Sequence, residues 1–205
     1  RTGFVHEGNP PQSVNRSYYL ETICQDKAMR RSLPRTVAGT NVATMTANGP
    51  LELHTSFVLP EWIDYNGHMN VAYYVLAFDH ATDAFLDYVG LDQTYKKDAN
   101  CTTFVVEMNV CYKGEVLEGD ELRFTTQVLN SDEKRLHYFH RMYHAQKGYL
   151  AATNEIMTVH ISLATRRVAP MRDDILKRVE TVRDRHKILP LPEQAGRLIA
   201  IQSNV

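Results

Sequence analysis

The chain has 205 residues, enough to bury one proper core with appendages rather than two. Its 23 basic and 24 acidic residues are interspersed to a net charge of −1, so no basic stripe argues for nucleic acid or an anionic membrane as partner. Three cysteines (Cys24, Cys101, Cys111) without CxxC spacing argue against a disulfide framework or a zinc site; the first thirty residues hold no apolar run of secretory-signal length and no stretch approaches a membrane span, so the expectation is a soluble cytoplasmic protein.

Residues 1–50 differ from the rest. They carry Pro10-Pro11 and many Ser, Asn and Thr, with one weak helical patch over Tyr18–Arg31. They read as an N-terminal extension of unknown role, in which Met29 and Met45 each offer a start of translation. From Leu51 the patterning sharpens. Leu51–Leu59 alternates weakly and reads as a strand that Pro60 ends, and residues 61–69 form a polar turn.

A helix follows, with Val71, Tyr74, Val75, Phe78, Phe85, Leu86 and Val89 at helical spacing. Asn70 is its expected N-cap and Gly90 its stop. The first two turns are apolar all round and are expected to be buried; Asp79, Asp83 and Asp87 mark a wet stripe further along.

Four strands are expected next. Thr102–Tyr112 places Phe104, Val106, Met108, Val110 and Tyr112 on one face, with Glu107 on the other. Glu121–Leu129, Leu136–His144 and Tyr149–Leu163 complete the set, joined by short polar turns. Hairpin-length connections mean an antiparallel sheet, and the long apolar helix before it is expected to be wrapped by that sheet in an α+β architecture. Asp173–Lys187 reads as a charged amphipathic helix and LPLPEQAGRLIAI as an extended tail, the pair covering a sheet edge.

Asp64 sits in the polar turn at the mouth of the long helix, whose first amides favour a developing negative charge. An acid before a helix is also the ordinary Asx turn or cap, so both readings stand. His68 is either a structural turn histidine or an acid–base group, and Asn70 either a cap or a water-positioning group. His137 falls on one strand face and His140 and His144 on the other, which speaks against a shared metal. Without GxSxG there is no nucleophile-elbow serine.

The order of elements resembles the hotdog fold, an antiparallel sheet wrapped around one central helix, over residues 51–170. Residues 171–205 form a C-terminal helix and tail. Asp64–Asn70 is similar to the D-x-x-x-H-x-N turn of the acyl-CoA thioesterases of the 4-hydroxybenzoyl-CoA thioesterase type. WIDYNGHM, HATD, TTQVL with DEKRLH, Gly119-Asp120 and the PEQAGR tail resemble the carnitine-catabolism enzymes thought to hydrolyse betainyl-CoA. That resemblance implies Asp64 as nucleophile or general base, His68 and Asn70 as the motif's polar positions, and a backbone N–H near Val71 as oxyanion donor. It also implies homodimers or homotetramers with interface active sites, and no metal or other cofactor.

Trp62, Tyr65, Gly67, Tyr73 and Glu107 are the candidate substrate-binding positions. Glu107 is either a solvated carboxylate or a group reaching the site across a subunit interface. Trp62, Tyr65, Tyr73 and Tyr74 are core and rim, or a cage for a quaternary ammonium. Lys134, Arg135, Arg141, Arg166 and Arg167 are available to the phosphates of CoA. Two rivals remain: an enoyl-CoA hydratase, whose D-x-N-x-x-H pattern His68 misses by one residue, and a non-catalytic acyl-CoA-binding module.

Overall fold

The computed structural model describes residues 49–201; the N-terminal extension expected over residues 1–50 lies almost wholly outside them. Strand β1 (Leu51–Phe57) is followed by a 3-10 turn (Pro60–Trp62), helix α1 (Val71–Val89) and short helix α2 (Gln93–Ala99). Then come β2 (Cys101–Tyr112), β3 (Glu121–Ser131), β4 (Arg135–His144), β5 (Leu150–Ser162), a two-residue β6 (Arg167–Val168) and α3 (Asp173–His186). The sheet order is β1-β3-β4-β5-β2 with β6 beside β5, and every pairing is antiparallel.

Strand alternation decides which face meets α1. Leu122, Phe124, Thr126 and Val128 of β3 pair with His144, Met142, His140 and Tyr138 of β4, and these line the inner face. Around the first half of α1, Tyr74, Ala77, Phe78 and Ala81 pack with Trp62, Met69, Val116, Leu122, Phe124 and Met142. Around its second half, Phe85 and Val89 pack with Leu51, Val128, Leu136, Tyr138 and Ile156. Each fully buried large side chain here, such as Phe78 or Phe85, contributes about 2 kcal/mol of transfer free energy.

Helix α1 keeps the expected limits. Asn70 caps it, its side chain accepting from the Ala72 amide, and Gly90 ends it at φ +89°. There the Leu91 amide returns to the Leu86 carbonyl at 2.8 Å, which satisfies a carbonyl the helix leaves open. Its first turn is not buried as the apolar run suggests: Val71 and Ala72 are exposed, because the turn projects past the rim of the sheet.

Strand β2 also departs from expectation. Its pairing with β5 slips between Val105 and Glu107, so Val106 is an extra residue and the alternation inverts there. Met108, Val110 and Tyr112 remain on the inner face, whereas Phe104 moves to the outer face and shares it with Glu107. No glycine marks the bulge. Helix α2 was too short for periodicity to reveal; the Asp92 side chain caps it through the Tyr95 amide.

Helix α3 does more than cover an edge. Ile175, Val179 and Val182 join the second core cluster, and Ile175 lies against Gly90 at the end of α1. The tail then crosses the outer face of the sheet. Gln127 of β3 donates to the Pro190 carbonyl, Glu155 of β5 accepts from the Gly196 amide, and Asn109 of β2 donates to the Arg197 carbonyl. Among the described residues no helix is long and apolar enough to cross a membrane.

Candidate active site

The turn at the mouth of α1 is closed twice at its stem. Ile63 and Met69 form an isolated antiparallel bridge, and the Asp64 amide donates to the His68 carbonyl at 2.9 Å. Inside the loop, the Gly67 amide donates to the Asp64 carbonyl, and the Asn66 amide to Asp64 Oδ1 at 2.8 Å. Gly67 sits at φ +82°, a conformation glycine adopts without strain. Asp64 is therefore an Asx-turn residue whose Oδ2 has no hydrogen-bond partner among the described residues, and it is half-buried.

The start of α1 is fastened to this stem. The Asn70 amide donates to the Trp62 carbonyl at 2.9 Å, and the Met69 amide to the Val116 carbonyl at 3.0 Å. Asn70 then occupies two of the helix's open donors, through its side chain on Ala72 and its carbonyl on Tyr73. Among the described residues the Val71 N–H meets no acceptor, and Val71 is 59% exposed. An unspent amide at a helix N-terminus can receive a tetrahedral oxyanion, and a carboxylate with a free oxygen can serve its attacking group.

The candidate substrate positions separate. Trp62 is buried and stacks on Tyr73 with ring centres 5.6 Å apart and planes 12° from parallel, so that one face of each ring is occupied. Tyr65 stands at the tip of the turn, 97% exposed. Glu107 lies mid-strand on the exposed outer side of β2, and the structure does not bring it to the turn of its own protomer. Tyr74 is buried, its hydroxyl donating to the Gly114 carbonyl at 3.3 Å.

Three residues at the site escaped the sequence reading. Tyr112, the last residue of β2, donates its hydroxyl to the Val71 carbonyl at 3.5 Å and meets Tyr74 edge-on, 5.2 Å between centres. Glu115, itself exposed, places its Oε2 3.0 Å from His68 Nε2. Tyr149 donates its hydroxyl to the Glu115 carbonyl at 2.6 Å. Burial holds all three phenols (Tyr74, Tyr112, Tyr149) above the usual tyrosine range, so they remain donors. The only hint was GEVLEGDEL between two strands, a loop whose destination sequence spacing does not reveal.

Of the basic residues, Lys134 and Arg135 sit in the β3–β4 turn and pair with Glu133 and Asp132. That turn is the far end of an eleven-residue strand from the Asp64 turn, roughly 30 Å away. Arg166 and Arg167 lie at the same far end, after β5, and Arg141 is held by Gln127 on the outer face. Lys113 and Arg197 instead flank a groove of about 240 Å³ between the end of β2 and the tail, which Tyr112 also lines. Among the described residues no His, Cys, Asp and Glu side chains gather into a metal site; His137 pairs with Glu155, and His140 and His144 face inward.

The sequence profile of the thioesterase-like superfamily matches residues 58–179. The chain belongs to that superfamily. It is a thioesterase with the hotdog fold. It is 41% identical over 144 residues to a betainyl-CoA thioesterase of Pseudomonas aeruginosa, covering 70% of this chain and 91% of that protein. It is 34% identical over 159 residues to an L-carnitine dehydrogenase/betainyl-CoA thioesterase of Rhizobium meliloti, covering 78% of this chain and 32% of that one. Among solved structures, a Staphylococcus aureus protein in complex with CoA aligns at 30% identity and TM-score 0.70, over 75% of this chain and 97% of its own. A candidate thioesterase of Pseudomonas putida KT2440 aligns at 31% identity and TM-score 0.66, over 76% and 99%.

Proposed function

We propose that this thioesterase hydrolyses acyl-CoA, and that its substrate is betainyl-CoA or a close analogue with a short cationic acyl group. The observation that carries the substrate is the 41% identity to the Pseudomonas aeruginosa betainyl-CoA thioesterase over most of both chains. A thioester is already activated, because sulfur donates poorly into the carbonyl and thiolate leaves readily. The site needs a positioned base or nucleophile and an oxyanion donor, and the turn offers one of each.

In this reading Asp64 acts as base. Its Oδ1 is held by the Asn66 amide, while Oδ2 takes a proton from the attacking water. The water oxygen bonds to the carbonyl carbon, and the resulting oxyanion is received by the Val71 N–H. Collapse breaks the carbon–sulfur bond and expels CoA thiolate, which recovers the proton. Asn70 leaves that amide free by capping its neighbours. Tyr112 and the Trp62–Tyr73 pair form the aromatic wall beside it. Lys113 and Arg197 are the cations offered to the phosphates of CoA.

We also propose that the working form is a homodimer or homotetramer with sites at the subunit interface. Strand β2 has one edge unpaired among the described residues, and Val105, Val106, Met108 and Tyr112 are exposed along it, next to the exposed Val71. Across such an interface Glu107 would reach a neighbouring turn. Cys101 and Cys111, both free, support a reducing compartment such as the cytoplasm.

Thiol release from a panel of acyl-CoAs tests the reading. Wild-type protein is expected to turn over betainyl-CoA fastest, and Asp64→Asn to lose roughly a hundredfold or more in kcat with little change in fold. An Asp64→Asn variant as active as wild type would remove the assignment. Loss of enoyl absorbance without appearance of free thiol, as in hydration of an enoyl-CoA, would favour the rival chemistry.

A further inference from the structure

We infer that Glu115 is the residue that selects a positively charged acyl group at this site. The inference rests on the thioesterase reading of the turn and deepens it.

The backbone around Glu115 is fixed at three successive residues. The Gly114 carbonyl accepts from the Tyr74 hydroxyl, the Glu115 carbonyl from the Tyr149 hydroxyl, and the Val116 carbonyl from the Met69 amide. A Cβ at Gly114 would meet the Tyr149 ring at 3.0 Å, so a side chain there would have to push that ring aside. The segment is therefore clamped alongside residues 68–70, where α1 begins. The neighbouring acids of the loop point elsewhere: Asp120 Oδ2 accepts from the Leu117 amide, and Glu121 Oε2 lies beside Gln146. Glu115 alone among the described acids of this loop contacts the turn, with Oε2 at 3.0 Å from His68 Nε2. That contact holds a carboxylate against the turn.

The chemistry of the substrate makes such a charge informative. In a betainyl thioester one methylene separates the quaternary nitrogen from the carbonyl carbon. A cation that close to the reacting atom must lie beside the turn itself. Quaternary ammonium donates no hydrogen bonds, so only anions and aromatic faces recognise it. The remainder of the substrate is polyanionic. A carboxylate at His68 of the same turn therefore works against any neutral acyl-CoA and in favour of a cationic one.

The test uses two substrates of one shape: betainyl-CoA and 3,3-dimethylbutyryl-CoA, in which carbon replaces the charged nitrogen. We would measure kcat/KM for both with wild type, Glu115→Gln and Glu115→Asp, after confirming unchanged melting temperatures. Wild type is expected to prefer the cation. Glu115→Gln should lose about tenfold or more on betainyl-CoA alone, collapsing the ratio, and Glu115→Asp should keep most of it. A Glu115→Gln variant that loses both activities equally would mean that Glu115 only holds His68 in place, and would overturn the inference. So would a wild type that hydrolyses both substrates at one rate while Asp64 remains essential; that result spares the thioesterase reading. Wild type inert toward both compounds, and toward every other acyl-CoA, would remove the reading of the site along with the inference.

Discussion

Asn70 caps α1 through one side-chain bond. Its Oδ1 occupies the Ala72 amide and its carbonyl the Tyr73 amide, which leaves Val71 as the open donor. Asn70→Ala should lower stability by about 1 kcal/mol, the usual cost of a lost cap, seen as a lower melting temperature. Asn70→Ser should restore the cap. If kcat returns with it, the residue acts on catalysis by ordering the first turn; if kcat stays low, the amide group itself handles water. The sequence made Asp64, His68 and Asn70 legible because the motif is local: all three lie within seven residues of one turn. Glu115 and Tyr112 were not legible, because they arrive after two helices and a strand, and only the antiparallel pairing of β2 with β5 carries them to the helix mouth.

At the scale of elements, period and punctuation governed what could be read. Helix α1 announced itself through long periodicity between Asn70 and Gly90, and the four long strands through alternation between polar turns. Seven-residue α2 offered less than two turns of pattern, and the bulge at Val106 consists of an ordinary β-branched residue, so neither left a signature. The Gly90 stop has a tertiary role that its sequence did not reveal. A Cβ there would come within 2.7 Å of the Arg178 guanidinium and 3.0 Å of Ile175, in a left-handed conformation. Gly90→Ala should cost about 2 kcal/mol in urea unfolding, from backbone strain together with the shift it forces on the Arg178 and Ile175 side chains. Gly119→Ala, at φ +79° with nothing within 4 Å, provides the comparison and should cost only the strain.

For the molecule as a whole, the buried histidines set a limit at low pH. His140 is enclosed between the Thr82 and Thr126 hydroxyls with Phe78 stacked on it, and burial, followed by His54, pushes it down to about 3. Burial likewise takes His54 and His186 to about 4, aided by His80 and Arg185 respectively. An unfolded imidazole binds its proton near 6.5, so below that value the unfolded chain holds more protons than the folded one. Stability is therefore complete above pH 6.5 and falls as pH drops toward 4. His140 alone contributes roughly 1.4 kcal/mol per pH unit over that window. Urea midpoints at pH 7.5 and 5.0 should differ accordingly, and His140→Gln should flatten the dependence. The chain's single tryptophan has a different use. Trp62 lies two positions before Asp64, stacked on Tyr73, so every indole photon the protein emits originates beside the proposed site. Its intensity is a built-in optical gauge: occupancy by an unreactive analogue can be titrated in plain solution, without any attached dye.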